Sequence, residues 1–243
     1  MSPTILITRP GHGGADFADR LRAELGADLS IVLSPVMRIE QCGALPDLTR
    51  YRTLIFTSRH GVEAYVAKRG RCDLPAFGVG GATAAAARAA GIDVTACGGD
   101  APDLIARMLA TKVGQPCLHL RGTHAARNIS GALSSAGLET DEAVIYRQAP
   151  AALTDEALAV LDGNAPVVVP LFSPRSARLF FDQARGDAPL LVAAISDNAA
   201  QEVPDCRVAA IEIAHDPCAE AMLEATKRLL DAAKRLEGRN AAK

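Results

Sequence analysis

The 243-residue chain contains no tryptophan, and only 4% of its residues are aromatic. Stacking platforms for nucleic-acid bases are hard to build from so few rings. A formal net charge of −2 also lacks the basic footprint that such a partner requires, so no nucleic acid is expected. No apolar stretch approaches the length of a membrane span, so no membrane is expected either. Residues 1–10 lack the basic start and long apolar run of a signal peptide, which makes the expected location cytoplasmic. None of the six cysteines (Cys42, Cys72, Cys97, Cys117, Cys206 and Cys218) has C-x-x-C spacing, and reduced thiols are expected. The histidines form no helical pair near a cysteine and there is no acidic cluster, so no metal is expected. Gly11-His12-Gly13-Gly14 is not followed by Gly-Lys-Ser/Thr and is no P-loop. Gly78-x-Gly80-x-x-Thr83, with Asp100 beyond it, lacks the third glycine of a dinucleotide fingerprint. No cofactor is expected.

What the chain does have is a long internal repeat. Leu6-Ile7-Thr8-Arg9-Pro10-Gly11-His12 is echoed by Leu118-His119-Leu120-Arg121-Gly122-Thr123-His124. Phe56-Thr57-Ser58-Arg59-His60 is echoed by Phe172-Ser173-Pro174-Arg175-Ser176, and the stretch from Phe77 to Ala84 by that from Ala193 to Ala200. The offset holds near 112 to 116 residues throughout. That is far longer than a solenoid unit and reads as domain duplication.

Short β-rich runs alternate with Ala-rich helical patterns. Strands are expected at 4–8, 29–33, 53–57, 76–79, 92–96, 117–120, 167–172, 190–195 and 208–211. Helices are expected at 12–25, 59–68, 82–90, 102–109, 125–136, 175–184, 197–203 and 217–236, with a frayed tail over 238–243. This alternation predicts an α/β fold with parallel sheets flanked by helices. Segments 34–41 (SPVMRIEQ) and 142–148 (EAVIYRQ) are extended without a tight link to a helix, and they occupy matching places in the repeats. Read as crossings, they give a discontinuous lobe A (1–34 and 149–243), a lobe B (41–141) and an inter-lobe linker (35–40 and 142–148). One lobe per repeat, divided near Gly114, is the other arrangement open to the sequence.

The repeated segments are loops after strands, where α/β proteins place binding groups. Thr57, Ser58 and Ser173 stand where N-caps belong. Helix N-termini also expose N–H groups and a partial positive charge that suit anions. Arg9, Arg59, Arg121 and Arg175 lie in the same loops, with His12, His60 and His124 nearby. A guanidinium fork matches a carboxylate, so an anionic ligand is expected. Arg9 and Arg121 are expected to act in binding, so that changing them raises KM more than it lowers kcat. Tyr146 is one of three tyrosines and falls on the second crossing. Strict strand alternation would put Val144, Tyr146 and Gln148 on one face, with Ile145 and Arg147 on the other. A phenol with an ordinary pKa near 10 stays protonated at neutral pH and can serve as an acid.

Several of these segments together resemble the uroporphyrinogen-III synthase family: 5–10 (ILITRP), 56–64 (FTSRHGVEA), 79–91 (VGGATAAAARAAG), Leu120-Arg121-Gly122, 144–148 (VIYRQ) and 172–180 (FSPRSARLF). The resemblance covers almost the whole chain, in order. It implies two α/β lobes, the second inserted in the first, joined by a two-stranded linker. It implies hydroxymethylbilane as substrate, loss of the terminal hydroxyl, inversion of the last ring through a spiro intermediate, and closure to uroporphyrinogen III. It also implies a monomer with no cofactor, which can receive substrate by transient handover from the preceding enzyme. The family's tyrosine maps onto Tyr146 as proton donor. Its Thr-Ser pair maps onto Thr57 and Ser58, its later serine onto Ser173, and its G-x-x-T-A motif onto Gly80 and Thr83. Where many members repeat that motif in the other lobe, this chain has Ser196-Asp197-Asn198-Ala199-Ala200, so Ser196 or backbone amides are expected to substitute. A non-catalytic two-lobed binder of a small organic anion is the alternative.

Overall fold

The structure, a computed structural model, describes residues 3–124 and 127–240. The chain runs β1 (Thr4–Ile7), α1 (His12–Leu25), β2 (Ile31–Leu33), β3 (Met37–Gln41), β4 (Thr53–Phe56), α2 (Arg59–Ala67), β5 (Ala76–Gly78), α3 (Gly81–Ala89), β6 (Val94–Ala96) and α4 (Ala101–Leu109). It continues as β7 (Cys117–Gly122), α5 (Ile129–Ser135), β8 (Thr140–Pro150), α6 (Asp155–Leu161), β9 (Val167–Leu171), α7 (Pro174–Phe181), β10 (Leu190–Ala194), α8 (Asp197–Ala200), β11 (Ala210–Ile213) and α9 (Ala219–Asn240). By backbone contacts it divides into two compact units, Met1–Arg38 with Ala149–Lys243, and Ile39–Gln148.

The first unit holds a sheet in the order β2-β1-β9-β10-β11, every pairing parallel. Its three central strands, β1, β9 and β10, are almost wholly apolar and buried at every position because both faces are covered. Leu6, Val167, Val169 and Val192 point into one core layer with Ala157, Leu161 and Phe180 from α6 and α7. Ile5, Ile7, Val168 and Leu191 point into the other, with Phe17 and Leu21 of α1 and Met222 and Leu229 of α9. Each fully buried Leu, Ile, Val or Phe contributes about 1.5–3 kcal/mol, so these two layers fix the strand register.

The second unit holds a sheet in the order β3-β8-β7-β4-β5-β6, parallel from β8 to β6. Leu54, Phe56, Leu118 and Leu120 face α2 and α3, while Ile55, Phe77 and Cys117 face α4 and α5. The Cys42 amide donates to the Ile145 carbonyl at 3.1 Å, and the Ala151 amide to that of Val36 at 2.9 Å. Partner numbers fall as strand numbers rise, so β3 and β8 run antiparallel.

If β7 and β8 are set beside β1 and β2, and β4 to β6 beside β9 to β11, the two strand orders coincide. The sequence repeat is therefore a repeat of strands. Each sheet takes two of these strands from one half of the chain and three from the other.

Several boundaries differ from expectation. The helix expected at 125–136 starts at Ile129, because Asn128 Oδ1 accepts from the Gly131 amide at 2.9 Å; residues 125 and 126 lie outside the described residues. The strand expected at 208–211 is Ala210–Ile213, displaced by a 3-10 turn over Asp205–Arg207. The helix expected at 197–203 closes after four residues, with Pro204 just beyond. α9 continues through Gly238 to Asn240, since an interior glycine costs a helix only about 1 kcal/mol. α6 was not anticipated, although Thr154 caps it and Asp155 and Glu156 fill its first turn.

Candidate active site

In the second unit the chain adds β5 and β6 on one side of β4, then returns to place β7 on the other. Open α/β sheets bind ligands beyond the carboxyl ends of their strands at such a switch point. A cavity of about 440 Å³ opens there. Thr57 and Ser58 line it from the end of β4, His119, Arg121 and Gly122 from β7, and Tyr146 from β8. Asp100, His124 and Arg127 add further polar groups to its wall, beside Ala101 and Pro102 at the start of α4.

The position of Tyr146 depends on an irregularity in pairing. Arg121 pairs with Val144 but Gly122 pairs with Tyr146, so Ile145 is an extra residue on β8. Bulges re-aim side chains in this way beside binding sites. The strict alternation expected at this segment is therefore broken: Ile145 and Tyr146 both join the core layer beneath α2 and α3. The Tyr146 ring lies edge-on to His60, with centroids 6.2 Å apart. Only a glycine fits opposite it, because a Cβ on Gly122 would come within 2.6 Å of the ring. Burial raises the Tyr146 pKa, while hydrogen bonds to the Ser58 side chain and the Gly122 backbone work against that rise. The phenol is consequently protonated at neutral pH. Ser58 also caps α2, its hydroxyl accepting from the His60 amide at 3.1 Å, so the phenol stands at a helix N-terminus.

Arg121 is less available than its sequence suggests. Its Nη2 donates to Glu142 Oε1 at 2.5 Å and its Nη1 to the Gly122 carbonyl at 2.9 Å. Ser130 donates to the other oxygen of Glu142 at 2.9 Å. The hydrogen bond from Arg121 is the main cause that lowers the Glu142 pKa. The guanidinium thus braces β7, β8 and α5 while still lining the cavity.

Sequence reasoning passed over His119. It is 1% exposed, and its Nε2 lies 3.3 Å from Thr57 Oγ1. Burial lowers its pKa to about 4, helped by Arg121 and opposed by Glu142. The signal was a histidine inside the run Cys117-Leu118-His119-Leu120, on a strand that ought to be apolar throughout. In the unfolded chain an ordinary histidine titrates near 6.5, so that state takes up the proton first. Stability therefore falls as pH drops from about 6.5 to about 4, by on the order of 3 kcal/mol from this residue. Denaturant titrations across that range should show the loss in the native chain, and His119→Gln should remove it. An equal loss in both proteins would assign the acid sensitivity elsewhere.

A family model described as uroporphyrinogen-III synthase HemD matches residues 16–224. The chain belongs to the uroporphyrinogen-III synthase family. The enzymes of this family are lyases of porphyrin biosynthesis, and the chain is one of them. The crystal structure of uroporphyrinogen-III synthetase from Helicobacter pylori 26695 is similar, with a TM-score of 0.66 and 18% identity over 94% of this chain and 100% of that chain. A mutant uroporphyrinogen III synthase from the extremely thermophilic bacterium Thermus thermophilus matches with a TM-score of 0.50 and 15% identity, over 95% and 100%. Likeness at these identities is one of fold. Comparison with curated proteins returns no match.

Of the residues that the uroporphyrinogen-III synthase resemblance marks, the cavity gathers Thr57, Ser58, Arg121, Gly122 and Tyr146. Arg59 is in the first turn of α2, Gly80 is the N-cap of α3, and Thr83 is buried within that helix; none of the three lines the cavity. Arg9, Ser173, Arg175 and Ser196 belong to the first unit, at its own switch point and neighbouring loop. The Arg9 guanidinium lies 4.5 Å above the Phe172 ring, and that ring meets Phe17 edge-on at 4.9 Å. A side chain on Gly13 would come 2.7 Å from Arg9 Nε, so α1 opens with glycine where the arginine passes. Ser173 caps α7, accepting from the Ser176 amide at 3.0 Å, and Arg175 follows in the first turn, half-buried. Ser196 starts α8 with no side-chain capping bond, and Ala199 behind it is fully buried.

Proposed function

We propose that the chain converts hydroxymethylbilane into uroporphyrinogen III, with Tyr146 as the acid that starts the reaction. The observation carrying this reading is the buried phenol at the mouth of α2, held between Ser58 and the Gly122 backbone at the switch point. Its proton goes to the departing hydroxyl, the C–O bond breaks and water leaves. The electron-rich final ring then attacks the cation, the spiro intermediate opens, and reclosure inverts that ring. The proton lost when the ring regains aromaticity returns to the phenolate. Ser58 and the positive end of α2 stabilise that phenolate.

The cavity is electrically uneven. Asp100 caps α4, accepting from the Asp103 amide at 2.8 Å, so that helix start is already occupied by a carboxylate. Substrate carboxylates are better received near Thr57, Ser58 and Arg127, and a pyrrole N–H suits the Asp100 side. Arg9, Arg59, Gly80, Thr83, Arg121, Gly122, Ser173, Arg175 and Ser196 complete the proposed substrate contacts. Arg121 contributes chiefly by holding its loop. The two-lobe organisation follows the same reading: 1–34 with 149–243, and 41–141, joined through 35–40 and 142–148. Two antiparallel chain crossings support it. A monomer in the cytoplasm, taking substrate from the preceding enzyme, completes the proposal.

Without enzyme the same intermediate closes uninverted, so the decisive assay separates products. Supplied with hydroxymethylbilane, the protein should give the type III isomer in excess over the type I background. Type I alone would leave a binder of organic anions as the better reading.

A further inference from the structure

His119 occupies a central strand position where an aliphatic residue would pack without penalty. Its strand neighbours in register are Ile55 on β4 and Glu142 on β8. A polar residue in such a place breaks the local rule for the fold, and breaks of that kind concentrate at functional sites. Both His119 and Thr57 line the cavity, and the contact between them is the ring's one side-chain hydrogen bond among the described residues. The other ring nitrogen, Nδ1, is buried with no hydrogen-bond partner among the described residues.

That asymmetry favours one tautomer. A neutral imidazole has one N–H and one lone pair. Orphaned buried N–H groups are rarer than under-satisfied acceptors. The proton therefore belongs on Nε2, where Thr57 Oγ1 receives it, and the bare lone pair belongs on Nδ1. With its oxygen already accepting from the ring, the Thr57 hydroxyl has its own hydrogen free to turn into the cavity.

We propose that His119 is a positioning residue of the cyclase: its Nε2–H holds the Thr57 oxygen, so that the Thr57 hydroxyl donates to a carboxylate of the bound linear tetrapyrrole. The neutral ring is the working form. A second proton would place an N–H at the partnerless Nδ1. Arg121 on the same strand opposes that charge and Glu142 on β8 favours it, and burial decides the outcome. This inference rests on the reading of the substrate as a polycarboxylate.

Steady-state kinetics with hydroxymethylbilane provide the test. A hydrogen bond to a charged group is worth enough that losing it raises KM about tenfold. Thr57→Val and His119→Leu should each do so while kcat moves much less. The double variant should be no worse than either alone, because the second residue acts through the first. His119→Gln presents an amide N–H near the Nε2 position and should restore KM to near the native value. An unchanged KM in Thr57→Val overturns the proposal, as does a KM effect of His119→Leu that multiplies with that of Thr57→Val. Thr57→Val keeps the core histidine, so the idea can fail even where His119→Leu does not fold. Native protein that makes no type III product would overturn the functional reading itself. Native protein that cyclises normally, with His119→Leu at native KM, overturns this inference alone.

Discussion

Tyr146→Phe should lower kcat about tenfold or more while leaving the fold intact. A positioned general acid contributes on the order of 10² to 10⁴ in rate, and deleting one oxygen removes that contribution. The ring itself stays. Its packing under α2 and its edge-on contact with His60 do not involve the hydroxyl. The variant therefore separates chemistry from folding, as a truncation to alanine would not. Product analysis adds a second readout: slower dehydration with a higher share of the type I isomer is expected, because released or unbound substrate closes uninverted. Native turnover in Tyr146→Phe would show that another group protonates the leaving hydroxyl.

Gly122→Ala should be nearly as damaging while leaving the tyrosine in place. The added carbon would stand 2.6 Å from Tyr146 Cε2 and 2.7 Å from Cζ, closer than carbon atoms can pack. The ring must move, and the phenol leaves its place between Ser58 and the Gly122 backbone. Misplacement by about 1 Å can cost on the order of 10² in rate. Overpacking of this kind also costs about 1–3 kcal/mol of stability, so a lower unfolding midpoint should accompany the lost activity. Adding Tyr146→Phe to Gly122→Ala should cause little further fall in kcat, since both remove the same proton donor. Full activity in Gly122→Ala would mean that the exact seat of the phenol is unimportant.

Much of this site is legible in the sequence, and the illegible part has definite causes. Ser58 and Ser173 could be recognised as caps because the residue type and its place after an apolar run determine the role. The strand layers were legible because a parallel sheet buried on both faces needs continuous apolar runs. Tyr146 could be named from its motif, but its direction could not be derived. The extra residue at Ile145 exists only in the pairing of β8 with β7, and no periodicity along one strand reveals it. Arg121 looked like a binding cation because its partner, Glu142, lies in a different segment and meets it only through strand register. His119 went unread for the same reason: its meaning comes from Thr57, which the fold supplies from β4. α6 is a different case, since its capping threonine and acidic first turn were both in plain view.

The way the two sheets share the halves of the chain has a consequence for biosynthesis. On a ribosome, β1 and β2 emerge first, yet the neighbour that β1 requires, β9, is encoded more than a hundred residues later. Residues 37–150 carry every strand of the second sheet and can close as a unit while the nascent amino terminus still waits. Vectorial synthesis therefore completes the inner unit before the outer one. Until the last third of the message has been translated, the apolar faces of α1 and β1 have neither β9 nor α9 to cover them.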